Sequence, residues 1–127
     1  MAQQAAKTVE RYFSAIRSLN LDAWVSTFEE EAISEDPVGA PPIQGHDELR
    51  SFFLSLTDLF TRVGITEDSV FICGNDAAVK WTGYGVGKNG AQVEFEGIDV
   101  FQLSDAGKIV RLRSYWDPAP TIARLKA

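Results

Sequence analysis

The sequence predicts an α+β fold in which N-terminal helices cover one face of a strongly curved, mainly antiparallel sheet. Apolar residues recur at helical spacing through the first half of the 127 residues, and alternating runs fill the second half. Those runs are separated by GND, GKNG and SDAG, each pairing Gly with Asn or Asp as tight hairpins require. Helices grouped first and strands grouped last in a short chain give this fold class, with a cone-like pocket between the layers. At this length one domain spanning 1–127 is expected, with no repeat, linker or low-complexity tract.

Ala5, Val9, Tyr12, Phe13 and Ile16 make 3–19 an amphipathic helix with Tyr12 on its apolar face, ending near Asn20. LDAWVSTF (21–28) reads as a short second helix, and EAISED as a brief strand. After the bend DPVGAPPIQG, a third helix begins with Asp47 and Glu48 in its first turn, where its dipole favours acids. Its apolar stripe of Leu49, Phe52, Phe53, Leu56 and Leu59 carries it to about Arg62. Strands are expected over 65–73, 76–87, 90–104 and 107–117.

Twelve basic against eighteen acidic residues leave a net charge of −6, which repels phosphate backbones and anionic lipid, so neither nucleic acid nor membrane is an expected partner. The opening residues are amphipathic, without a basic start leading into a long apolar segment, so a soluble cytoplasmic protein without a secretory signal is expected. The single Cys73 falls in an apolar run and reads as core filler, and the single His46, near a helix start, reads as a local cap or surface residue. With one cysteine and one histidine, no thiol metal cluster, multi-histidine site or His-dependent triad is expected. Gly85-Val86-Gly87-Lys88-Asn89-Gly90 has the spacing of a dinucleotide-binding loop, but that motif needs a helix after it, and a strand pattern follows here.

Two aspartates stand out. Asp36 precedes Pro37, which holds it in extended geometry at a strand end, either as turn chemistry or as a carboxylate aimed for use. In the third strand run, residues 93, 95, 97, 99, 101 and 103 share one face, which places Asp99 among Phe95 and Phe101. A carboxylate there must be paired, by a backbone amide or by an arginine such as Arg111 or Arg113, or keep its proton through desolvation.

VERYFSAI (9–16), EDPVGAPPIQGHDELRSFF (35–53) and GIDVFQLSDAGKIVRLRSYW (97–116) together resemble the ketosteroid isomerases of the nuclear transport factor 2-like, or SnoaL-like, superfamily. The resemblance implies a cone-like, cystatin-like α+β barrel with three N-terminal helices, a homodimer formed through the sheet face, and no metal or organic cofactor. It implies that Asp36 is a general base that moves a proton along a β,γ-unsaturated ketone. Tyr12 and protonated Asp99 then donate hydrogen bonds to the dienolate oxygen. Trp116 matches a tryptophan that lies beside the base, whereas Phe53 and Phe28 stand where that family has further tyrosines supporting the first.

The substrate implied is a hydrophobic, steroid-like or polycyclic ketone. Phe13, Val38, Phe52, Phe53, Leu56 and Leu59 are expected to line its site from the first half of the chain. Val79, Trp81, Phe95, Phe101 and Trp116 are expected from the sheet. Two other readings fit the same scaffold: a polyketide cyclase or dehydratase-like enzyme, and a binding module without catalysis.

Overall fold

The computed structural model describes residues 2–127. Helices α1 (Ala2–Arg17) and α2 (Leu21–Val25) lead into β1 (Phe28–Glu35), the two-residue β2 (Ile43–Gln44) and α3 (Gly45–Thr57). β3 (Phe60–Cys73), β4 (Asp76–Gly87), β5 (Gln92–Leu103), β6 (Ile109–Tyr115) and α4 (Ala119–Leu125) complete the chain. The strands form one sheet in the order β2-β1-β6-β5-β4-β3, antiparallel except where β1 runs parallel to β6. The sheet curves but does not close, because β2 and β3 remain its two edges; the architecture is a cone rather than a barrel.

The short helices form for local reasons. Asn20 both closes α1, its backbone N–H reaching the Ala15 carbonyl at 2.9 Å, and begins α2, its side-chain oxygen accepting the backbone N–H of Ala23 at 3.1 Å. In α3 the Glu48 carboxylate reaches back to the backbone N–H of Gln44 at 3.0 Å. α3 stops at Thr57, short of the expected Arg62, because the next residues are claimed by the sheet. Phe60 pairs with Gly87, Arg62 pairs with Val86, and the Leu59 carbonyl accepts the Lys88 N–H at 3.0 Å. Pairing thus overrides the apolar spacing that would have placed Leu59 on the helix. For the same reason Phe28 belongs to β1, paired with Ile109, and not to α2.

The core lies between the helices and the concave face of the sheet. Phe13, Phe28, Leu49, Phe101 and Leu112 are completely buried there. Gly85 to Gly90 form the end of β4 and its hairpin to β5, with no helix to receive a phosphate. Cys73 is exposed at the end of β3 and is not core filler, because β3 runs beyond the helices that cover its earlier residues. The ring nitrogen Nε2 of His46 lies 3.0 Å from the Phe28 carbonyl, tying α3 to β1. Among the described residues, no helix is long and apolar enough to cross a membrane.

Candidate active site

β5 alternates as its sequence suggests: Val93, Asp99, Phe101 and Leu103 are buried, and Glu94, Glu96, Ile98, Val100 and Gln102 are exposed. Its register against β4 is unbroken through Gly97, so no bulge turns Asp99 outward. Asp99 is 3% exposed and lies across from Ser114 on β6, whose hydroxyl donates to its Oδ1 at 2.6 Å. Neither arginine reaches it: Arg111 and Arg113 sit on the outer face and pair with Glu35, at 2.7 Å and 3.5 Å. Burial, reinforced by the nearby charge of Asp36, pushes the Asp99 carboxyl up to about 7, while the Ser114 hydroxyl and the Trp81 indole hold it down somewhat.

Asp36 follows β1 directly. The parallel pairing of β1 with β6 carries it to the same end of the cavity, where the Val38 N–H bonds the Ser114 carbonyl at 2.8 Å. As a residue Asp36 is half-buried, but its carboxylate has left water, and the Trp116 indole N–H donates to its Oδ1 at 2.7 Å. Desolvation raises this carboxyl to about 6, against the lowering pull of Trp116 and Ser114. Ser114 therefore lies within reach of both acids.

Tyr12 enters from α1. Its ring is held edge-on by Phe13 and Phe101, with centroids at 5.0 Å and 5.1 Å. Burial first, and then the two aspartates, push its hydroxyl well above the ordinary tyrosine range, so Tyr12 stays a neutral donor. The rings of Trp24, Phe28 and Phe53 pack beside it. The indole N–H of Trp24 is the one donor in that group near enough to ease Tyr12's ionisation.

Tyr12, Asp36 and Asp99 all line one hollow of about 750 Å³, its open mouth included. Of the residues expected to line it, Phe52, Phe53, Leu56, Trp81, Phe95 and Trp116 do so. Phe13, Phe101 and Val79 do not: they are fully buried core, and the first two form the backing of Tyr12. Val38 is also absent from the wall, its loop pinned to β6 through its backbone, and Leu59 lies past the end of α3. The rest of the wall comes from Ile16, Trp24, Thr57, Ser114, the start of β3 with Phe60, Val63 and Ile65, and α4 with Thr121, Ile122 and Leu125. Ser114 could have been found by folding the SDAG hairpin in register, which sets it opposite Asp99. Among the described residues, no group of three or more His, Cys, Asp or Glu side chains is placed to hold a metal ion.

The fold has counterparts among known proteins. Residues 9–112 match the SnoaL-like domain family. This chain belongs to that family, within the nuclear transport factor 2-like superfamily. One solved structure is that of SalBIII, described as an epoxide hydrolase/cyclase-like enzyme in pyran ring formation in the polyether salinomycin. It superposes with a TM-score of 0.83 at 28% identity, over 93% of this chain and 94% of that one. A protein named a polyketide cyclase, from Xanthomonas campestris pv. campestris, gives 0.84 at 22% identity over 97% of both chains. A protein named a SnoaL-like polyketide cyclase, from Jannaschia sp. CCS1, gives 0.83 at 20% identity, over 98% of this chain and 93% of that one. These last two bear on the fold alone.

Proposed function

We propose that this SnoaL-like chain is an acid–base enzyme that closes a ring on a hydrophobic, polyketide-like substrate, with Asp36 as base and Asp99 as acid. The observation that carries the reading is the pair of desolvated carboxyls raised to about 6 and about 7 in one apolar cavity, the higher of them bonded by the Ser114 hydroxyl. At neutral pH the lower of the two is mostly ionised and accepts a proton, while the higher keeps enough of its proton to donate one. SalBIII, 28% identical to this chain, supports the same class of chemistry, since its described role is in pyran ring formation.

For a hydroxy-epoxide the electron count closes without any other reactant. Asp36 takes the hydroxyl proton, the oxygen attacks the epoxide carbon, and the carbon–oxygen bond of the epoxide breaks. The departing oxygen receives the proton of Asp99, with Tyr12 donating a hydrogen bond to it as charge develops. Each turnover leaves a proton on Asp36 and a charge on Asp99. Ser114, within reach of both, lies on the return path. On an enolisable ketone the same base would remove a proton from carbon instead.

That second route is the isomerase reading, and one observation favours it: Tyr12 and Asp99 are neighbouring neutral donors on an apolar wall, suited to a dienolate oxygen. A two-arm assay separates them. Cyclisation of a γ,δ-epoxy alcohol followed by chromatography, with loss in Asp36→Asn, supports ring closure. Growth of the conjugated-enone absorbance from a β,γ-unsaturated ketosteroid, without cyclisation, supports the isomerase. Failure of both with retained ligand binding leaves a binding module.

A homodimer is part of the proposal. Phe71, Ile98, Val100 and Tyr115 are exposed on the convex face of the sheet, Phe71 to 72%, and a second copy of that face would cover them. Sedimentation of Ile98→Glu against the unaltered chain tests it, a monomer being expected for the variant.

A further inference from the structure

The chain contains three tryptophans, and all of them line the cavity of the two acids. Trp116 has an obvious task, since its N–H is bonded to Asp36. The N–H of Trp81 is buried in a residue 4% exposed and has no hydrogen-bond partner. A buried donor left unpaired is costly, and such exceptions cluster where a group awaits a partner that appears during function. Trp81 is inward-facing on β4, two residues from Val79, which is the residue that pairs with Asp99 across the strands. Its indole therefore leans diagonally toward the Asp99 carboxyl, near enough to hold its pKa down, while no hydrogen bond joins the two in the structure.

We propose that Trp81 is a positioning residue for Asp99: its indole N–H is held in reserve beside the neutral acid and closes into a hydrogen bond when Asp99 gives up its proton. The inference rests on the reading of Asp99 as the proton donor. A hydrogen bond to a carboxylate is shorter and stronger than one to a neutral acid, so a donor just out of reach of the acid is drawn in by the charge. A carboxylate accepts several donors, and the Ser114 hydroxyl occupies only one position on it. The arrangement favours the product side of the proton transfer over the resting side, as a donor serving catalysis must. Gly97 makes the approach possible. A Cβ there would lie 2.7 Å from Trp81 Cζ2 and from Trp116 Cβ, so glycine lets both indoles close over the site.

The titratable groups facing Asp99 are Tyr12 from α1 and Asp36 from the loop after β1. Its neighbours across the sheet, Val79 and Ser114, do not titrate. Lys80 and Arg113 lie on the opposite face, with Asp68, Glu96 and Glu35 as their partners. Asp36→Asn therefore leaves Asp99 as the buried carboxyl to be followed.

The experiment is a pH titration of the indole N–H resonances of the nitrogen-15-labelled Asp36→Asn protein, assigned by single Trp→Phe changes, beside carboxyl carbon-13 detection of Asp99. The Trp81 proton is expected to move downfield in step with Asp99's ionisation. In Trp81→Phe the Asp99 pKa is expected to rise by about one unit, the worth of one hydrogen bond to the charged form. A Trp81 resonance unmoved while Asp99 ionises overturns the proposal. So does a fall in the Asp99 pKa in the variant, which is what water entering beside the smaller ring would cause. No substrate is used, so a protein that turns over neither epoxide nor ketone would end the catalytic reading while leaving this result to stand or fall alone.

Discussion

Replacing Asp99 by Asn should stabilise the folded protein at alkaline pH, and the size of the gain follows from how far burial moves the carboxyl. In the unfolded chain an aspartate titrates near 3.9, and here it is pushed up to about 7. Between about pH 4 and pH 7 the native state holds a proton that the unfolded state has released, so stability falls as pH rises through that window. A difference of about three units is worth on the order of 4 kcal/mol, a sizeable part of the stability of a domain of this length. Asparagine has nearly the same shape, and its oxygen can still accept the Ser114 hydroxyl at the position where Asp99 accepts it at 2.6 Å. The variant should therefore match the unaltered chain at pH 4 and exceed it at pH 9. Urea unfolding at the two pH values, with the denaturant slope checked for constancy, measures the difference. Asp36 remains in both proteins and subtracts from the comparison. Parallel stability curves across the range would refute the claim that Asp99 is buried with its pKa raised.

Other changes test the parts separately. Trp116→Phe removes the 2.7 Å donor from the ionised form of Asp36, so its carboxyl should rise above about 6 by about one unit, and the acidic limb of the kcat/KM profile should move up with it. Tyr12→Phe should lower kcat about a hundredfold if the hydroxyl meets developing charge, and should leave KM near its original value. Gly97→Ala forces a Cβ to 2.7 Å from Trp81 and Trp116, and should cost about 1–3 kcal/mol in thermal unfolding and perturb the fluorescence of both indoles.

Much of this arrangement is legible in the residues. Period-two alternation from Val93 to Leu103 turns Asp99 inward because β5 is an interior strand with one wet face and one dry face, the case in which alternation is least ambiguous. The Gly-with-Asn and Gly-with-Asp turns likewise mark the hairpins between β3 and β6. What local pattern could not supply is competition between elements. The apolar stripe of α3 runs on to Leu59, yet pairing of Phe60 and Arg62 with β4 ends the helix first. α4, with seven residues, is too short for periodicity to reveal, although it contributes Thr121, Ile122 and Leu125 to the cavity wall. Phe13 and Phe101 show the other limit. Being apolar and adjacent to the site does not distinguish the side chain that lines a cavity from the one that supports it, and both are fully buried behind Tyr12. Ser114 was hidden because a serine in a strand carries no signal until its partner across the hairpin is known.

The most direct test of the account is carboxyl carbon-13 titration of the aspartates, with Asp36→Asn and Asp99→Asn used for assignment. Two resonances titrating near 6 and near 7, the higher falling when Asp36 is replaced, are the expected result. Both carboxyls titrating near 4, each indifferent to loss of the other, would contradict it.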